Sequence, residues 1–408
     1  MTRRPGSLLL ALTAILLCAL TLRAPLGALS PIAREIGEST GATIADIGLI
    51  GSLGPFLMAA VTLGTGLRAR TASIRWLSHV ACLTLVLSLF ARSLAWSTPS
   101  LVAFALLAYL AIGVLNTAIP LFIGRRFPAS ELRGVTAVYA TMITIGTAAA
   151  PLASRWGTDL VSWQVATGAW GVVAAAGVVL FVPLTHSALR PLAPRAPMPP
   201  RAPHARGRVR KRRPAPACGT RPDASRRDFA ARSTALIAAN SFFAFAMFAW
   251  LPELVSARVG LDASAGALLL TLYAVCAIPA APIVAALTRT PRSYRTLTLV
   301  ALASIALGFG CLLAGSATLA VPGVLLVGLG QFIYPAVLLQ LAAAERGEGA
   351  AGIAGRVQGL AFAIAALGPI CVGWLFAADP SGRLTCVVLA GLALATGAVW
   401  LRPDRPRV

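Results

Sequence analysis

Gly113-Val114-Leu115-Asn116-Thr117-Ala118-Ile119-Pro120 and Gly328-Leu329-Gly330-Gln331-Phe332-Ile333-Tyr334-Pro335 carry one pattern twice. Each lies in a long apolar run. Each sets an amide three residues after a glycine and a proline four residues after the amide. The echo continues: Gly134-Val135 precedes Pro151 by seventeen residues, and Gly352-Ile353 precedes Pro369 by the same seventeen. Arg23-Ala24-Pro25 has its counterpart in Trp250-Leu251-Pro252. The three shifts are 215, 218 and 227 residues, so the halves of the chain correspond and differ only in loop length.

The rest of the composition says what kind of halves these are. Of 408 residues, 58% are hydrophobic and 12% charged, with a mean hydropathy of +0.81. That is too little charge to cover a soluble protein of this size, so the chain reads as an integral membrane protein. Its apolar runs are about twenty residues long and lack the period-2 alternation of an outer-membrane barrel. Twelve such runs occur, near 7–33, 43–66, 74–92, 99–123, 132–153, 162–184, 232–256, 263–288, 294–314, 318–343, 350–377 and 384–401. The expected fold is therefore all-α, with twelve transmembrane helices in two six-helix pseudo-repeats. Residues 1–184 form the N-terminal bundle, 185–231 a basic Pro/Arg-rich linker, and 232–408 the C-terminal bundle.

Charge placement orients the chain. With the N-terminus inside, 29 Lys/Arg fall on the inner side and five (Arg34, Arg92, Arg155, Arg258, Arg383) on the outer. The positive-inside rule then puts both termini and the linker in the cytoplasm of a bacterial inner membrane. It also explains the net charge of +22 without nucleic acid. The linker, with Arg208-Val209-Arg210-Lys211-Arg212-Arg213, cannot bury a core and is expected to be disordered, touching lipid head groups.

One arginine is left over. Arg23 sits between the apolar Leu8–Leu22 and further small and apolar residues up to Ala33, within a span. At mid-membrane it costs about 2.5–3.5 kcal/mol on insertion scales, and Arg cannot lose its proton to escape. Glu35 and Asp46 are near the outer face, and no acid lies deep in any run. Arg23 is thus expected to attract an anionic or strongly dipolar small-molecule substrate, with Pro25 opening the helix beside it. Asn116 and Gln331 are matched amides able to orient a polar ligand; the alternative is helix–helix glue. Gln358 has similar standing, and Tyr139 and Trp250 could shape a cavity. Pro25, Pro120, Pro252, Pro335 and Pro369 are the expected helix breaks. His79 is the one histidine in a span, and the absence of deep acids weighs against proton coupling without excluding coupling to a proton or ion. The seven cysteines lack metal-ligand spacing and read as core. No Walker A sequence or nucleophile elbow is present, so no cofactor, metal or catalytic residue is expected.

The motifs taken in order resemble the cyanate permease and nitroimidazole-transporter (CynX/NimT-like) branch of the major facilitator superfamily. The carriers are Leu22-Arg23-Ala24-Pro25, Asn116 to Pro120 with Arg125-Arg126-Phe127-Pro128, Val135 to Tyr139, Trp250-Leu251-Pro252, Gly330-Gln331 with Pro335, and Gln358-Gly359 through Gly368-Pro369. The resemblance implies alternating access and a small polar or anionic substrate, cyanate-like or a small carboxylate, carried by a monomer through the lipid bilayer. Departures exist: Gly66-Leu67-Arg68-Ala69-Arg70 lacks the superfamily's acidic residue after the second helix. Two alternatives stand beside this reading. One is an efflux transporter of neutral or cationic, nitroimidazole-type compounds. The other is a non-transporting membrane sensor that docks a partner through the linker.

Overall fold

A computed structural model describes residues 5–68, 73–128, 131–188, 224–287, 291–333 and 361–401. Gln358, Pro335 and most of the expected linker lie outside the described residues. Within them the chain is helical and contains no strand. Among the described residues, nine helices are long and apolar enough to cross a membrane, and three shorter apolar helices (Asp46–Val61, Ala317–Phe332, Arg383–Val399) stand beside them. These match the twelve expected runs one for one. The helices flanking the linker reach further than expected, one ending at Ala188 and the next starting at Ala224.

The first span is not one helix. α1 (Pro5–Thr21) stops, Leu22 and Arg23 turn, and α2 (Ala24–Gly27), a 3-10 turn (Ser30–Ile32) and α3 (Ala33–Thr40) follow. Five longer helices complete the N-terminal half before the linker: α4 (Ile44–Arg68), α5 (Ser73–Ser93), α6 (Thr98–Arg126), α7 (Leu132–Leu160) and α8 (Trp163–Ala188). After the linker come α9 (Ala224–Val259), α10 (Ala263–Val275), α11 (Ala277–Leu287), α12 (Pro291–Leu313), α13 (Ala317–Ile333), α14 (Leu367–Ala378) and α15 (Arg383–Leu401).

Three interruptions share one cause. α1 ends at Thr21, four residues before Pro25; α10 ends at Val275, four before Pro279; the helical run from Ala361 ends at Ala365, four before Pro369. Proline has no N–H for the carbonyl four residues back, and its ring crowds that carbonyl. The helix breaks where the missing bond falls. Pro25 and Pro369 each follow a helix end by four residues, and so does Pro279, which the sequence reading did not single out. Pro120 and Pro252 do not act as breaks: both lie inside continuous helices, α6 and α9. A membrane helix tolerates the lost bond where neighbours support it. Pro252 is buried against Gly266, where an added Cβ would come within 3.1 Å of the proline Cβ.

Buried side chains gather in two clusters. One is built almost wholly from residues before 182, the other from residues 236–393. Phe245, Phe362 and Ala365 belong to the first cluster although they come from the second half of the chain. The halves meet along α7 and α10 and where α4 touches α9 and α14. At the end of the bundle opposite the termini the seam is tight. The Trp250 ring fills a slot between Gly48 and Gly373, where added Cβ atoms would lie 2.6 and 3.1 Å from it. Its indole N–H donates to Pro369 O at 2.9 Å, and it stacks on Phe376 at 5.2 Å. Ala249 meets Gly51, and Ser30 Oγ donates to Phe248 O at 2.9 Å across the seam. Around the outside, Trp76, Trp96, Trp156 and Trp374 are exposed with many leucines and valines, as a bilayer-facing surface requires.

Candidate functional site

Where the broken spans meet, a cavity of about 250 Å³ opens between the halves. All three breaks contribute to its wall: Arg23 and Leu26 from the first, Ala274 and Ala277 from the second, Phe362 from the third. α7 adds Ile143, Thr144 and Thr147, while α9 adds Asn240, Ser241 and Phe248 among others. Ten of the fifteen lining residues are apolar, four of them phenylalanine, and none is acidic.

Arg23 lies against two neighbouring rings of the other half. Its guanidinium carbon is 5.6 Å from the centroid of Phe245 and 5.3 Å from that of Phe362. Each such contact is worth up to about 2 kcal/mol once desolvated, so the pair offsets much of the cost of holding the charge in the membrane. The Arg23 side chain has no ion pair and no hydrogen bond among the described residues. Both rings lie to one side of the guanidinium, their centroids 6.2 Å apart, and its N–H groups remain available. Glu35, the nearest acid in sequence, is engaged elsewhere: Arg155 pairs with both Glu35 and Asp159.

A second arginine was missed. Arg92, counted among the outer-side charges, is fully buried. Its Nη1 donates to Pro25 O at 3.3 Å, and Nε and Nη2 have no partner among the described residues. The sequence signal was weak, because Arg92 comes at the end of its apolar run and reads as a helix terminus. Its burial follows from the break in the first span, which leaves carbonyls facing α5.

The remaining expected site residues scatter. Gln331 is fully buried and outside the cavity wall, but its Nε2 donates to Asn240 O at 2.5 Å and to Asn240 Oδ1 at 2.7 Å. It reaches the cavity through Asn240. Tyr139 is buried one turn from the α7 residues that line the cavity, and is not in the lining itself. Asn116 is not in the lining either, and its amide nitrogen is buried without a partner among the described residues. Trp250 lies in the seam described above, away from the cavity. Asn240 and Ser241 were overlooked. They form the adjacent polar pair midway along the apolar run 232–256, and that was the available signal.

Comparison with known proteins agrees with this architecture. The family model of the Major Facilitator Superfamily matches residues 12–366. An uncharacterized transporter, YycB of Bacillus subtilis (strain 168), is 29% identical over 178 residues. That match covers 43% of this chain and 44% of YycB, so the chain spans under half the length of this curated relative. Among solved structures, a peptide transporter of the POT type superposes with a TM-score of 0.74 at 15% identity, over 97% of this chain and 93% of that one. The nucleoside transporter NupG does so at 0.71 and 12%, over 96% and 99%. At such identities the likeness concerns the fold alone. Because the family model spans most of the chain, this protein belongs to the Major Facilitator Superfamily and is a multi-pass membrane protein.

Proposed function

We propose that the chain carries a small anionic solute, of the small-carboxylate kind, by alternating access between two six-helix halves, 1–184 and 232–408. The observation that carries the reading is Arg23. It is a permanent cation in a cavity between the halves, its edges unpaired among the described residues and no acid in the lining. A fixed charge that none of the described residues neutralises is what an anion pathway needs. The arginine bias places both termini in the cytoplasm of a bacterial inner membrane. The seam at Trp250 then closes the outer end, so this conformation is closed toward the outside. The motifs around Arg23, Gln331 and Pro369 support placement in the cyanate permease and nitroimidazole-transporter branch.

The test is uptake by reconstituted vesicles of radiolabelled small carboxylates and cyanate. Replacing Arg23 by Gln is expected to abolish anion transport, whereas Arg23→Lys keeps the charge and retains a fraction of it. Undiminished anion transport by Arg23→Gln overturns the reading. A second reading, export of neutral nitroimidazole-type aromatics, is favoured by the four phenylalanines of the lining. It predicts transport of neutral rings that is indifferent to Arg23→Gln.

A further inference from the structure

We propose that Asn240 is a second anion-binding residue, held in register by Gln331, and that the ligand is a monocarboxylate with a flat or ring-shaped apolar body. This inference rests on the anion reading of Arg23 and narrows it.

Asn240 is committed on one side. Its side-chain oxygen and its backbone carbonyl both accept from Gln331 Nε2. The amide oxygen is thereby occupied, and Asn240 Nδ2, a group with two N–H donors, is left for the cavity that Asn240 lines. Ser241 next to it lines the same wall and adds a hydroxyl. The threonines opposite present the other polarity. Thr144 and Thr147 spend their hydroxyl protons on Ala140 O (3.1 Å) and Ile143 O (2.7 Å) inside α7, so only lone pairs face the cavity. Among the described residues, the donors available to an anion are thus Arg23 from one half and Asn240 with Ser241 from the other.

Phe245 and Phe362 flank one side of the Arg23 guanidinium, their centroids 6.2 Å apart. On its open side the paired N–H groups match the two oxygens of a carboxylate. The volume argues for more than a carboxylate head. A water occupies about 30 Å³ in the liquid, so a three-atom anion such as cyanate leaves most of the 250 Å³ wet against apolar walls. A six-membered ring behind the carboxylate fills that space against Phe248, Phe332 and Ile237, which line it. An ammonium ligand meets Arg23 and no compensating acid.

The experiment is thermal stabilisation of the full-length protein in detergent by benzoate, cyclohexanecarboxylate, cyanate, benzamide and benzylammonium. It uses wild type, Arg23→Gln, Asn240→Ala, Asn240→Ser and Gln331→Met. Benzoate is expected to raise Tm most, cyanate and benzylammonium little. Asn240→Ala and Gln331→Met should each weaken benzoate about tenfold, the worth of one charge-assisted hydrogen bond. Benzamide, bound through the ring, should be unchanged in Gln331→Met; a merely structural role would weaken both ligands alike and overturns the positioning claim. Undiminished benzoate binding in both Asn240 variants, with Arg23→Gln inactive, overturns Asn240 and leaves the anion reading standing. Cyanate stabilising as strongly as benzoate overturns the carboxylate class. Failure of every anion on wild type sinks the anion reading itself.

Discussion

Arg92 is a buried charge that does not line the cavity. It lies in the N-terminal half with one hydrogen bond, to Pro25 O, and that carbonyl belongs to the turn from which Arg23 projects. It is a strut beneath the site. Arg92→Met keeps the volume, removes the bond, and also removes a buried charge whose desolvation costs several kcal/mol. The two effects on stability oppose each other, so Tm should move by only a few degrees. Ligand affinity at Arg23 should fall about tenfold, because the turn is no longer pinned. Melting curves with and without benzoate on the same sample separate the two. Arg23 was legible in the sequence because a lone charge inside an apolar run admits few readings. Arg92 was not, since a charge at the end of a run normally reaches water. Asn240 was hidden by the repeat: the paired amides Asn116 and Gln331 drew the reading, and the cavity-facing amide has no such echo.

At the scale of the element, proline by itself does not decide where a span bends. Pro25, Pro279 and Pro369 each end a helix four residues upstream, whereas Pro55, Pro120, Pro151, Pro183, Pro252 and Pro322 sit inside unbroken helices. All nine prolines lack the same N–H, so sequence alone could not sort them. Among the described residues, nothing in the packing around these prolines sorts the three that break from the six that do not. The existence and order of the twelve runs were legible because length and hydropathy alone define them. Replacing Pro279 by Ala restores the donor to Val275 O and should make α10 and α11 one helix. The expected result is a protein with Tm raised by a few degrees and transport slowed severalfold, measured as melting temperature and initial uptake rate.

For the molecule as a whole, the seam at the end opposite the termini holds the observed state. Gly48 permits it, since any Cβ there strikes the Trp250 ring at 2.6 Å. Gly48→Val should therefore favour the state open at that end. The measurement is thiol labelling of a cysteine placed at Ala249, which the wild-type seam covers; labelling should rise at least severalfold in the Gly48→Val background, and equal labelling would show that the seam is not the closure. The cavity between the halves has an electrical consequence. Empty, it holds the positive charge of Arg23 with no acid among the described lining residues; loaded with the monoanion proposed above it is neutral. A unit charge moved through 100 mV changes energy by about 2.3 kcal/mol. Membrane potential therefore acts on the return of the unloaded carrier and leaves the loaded crossing almost untouched.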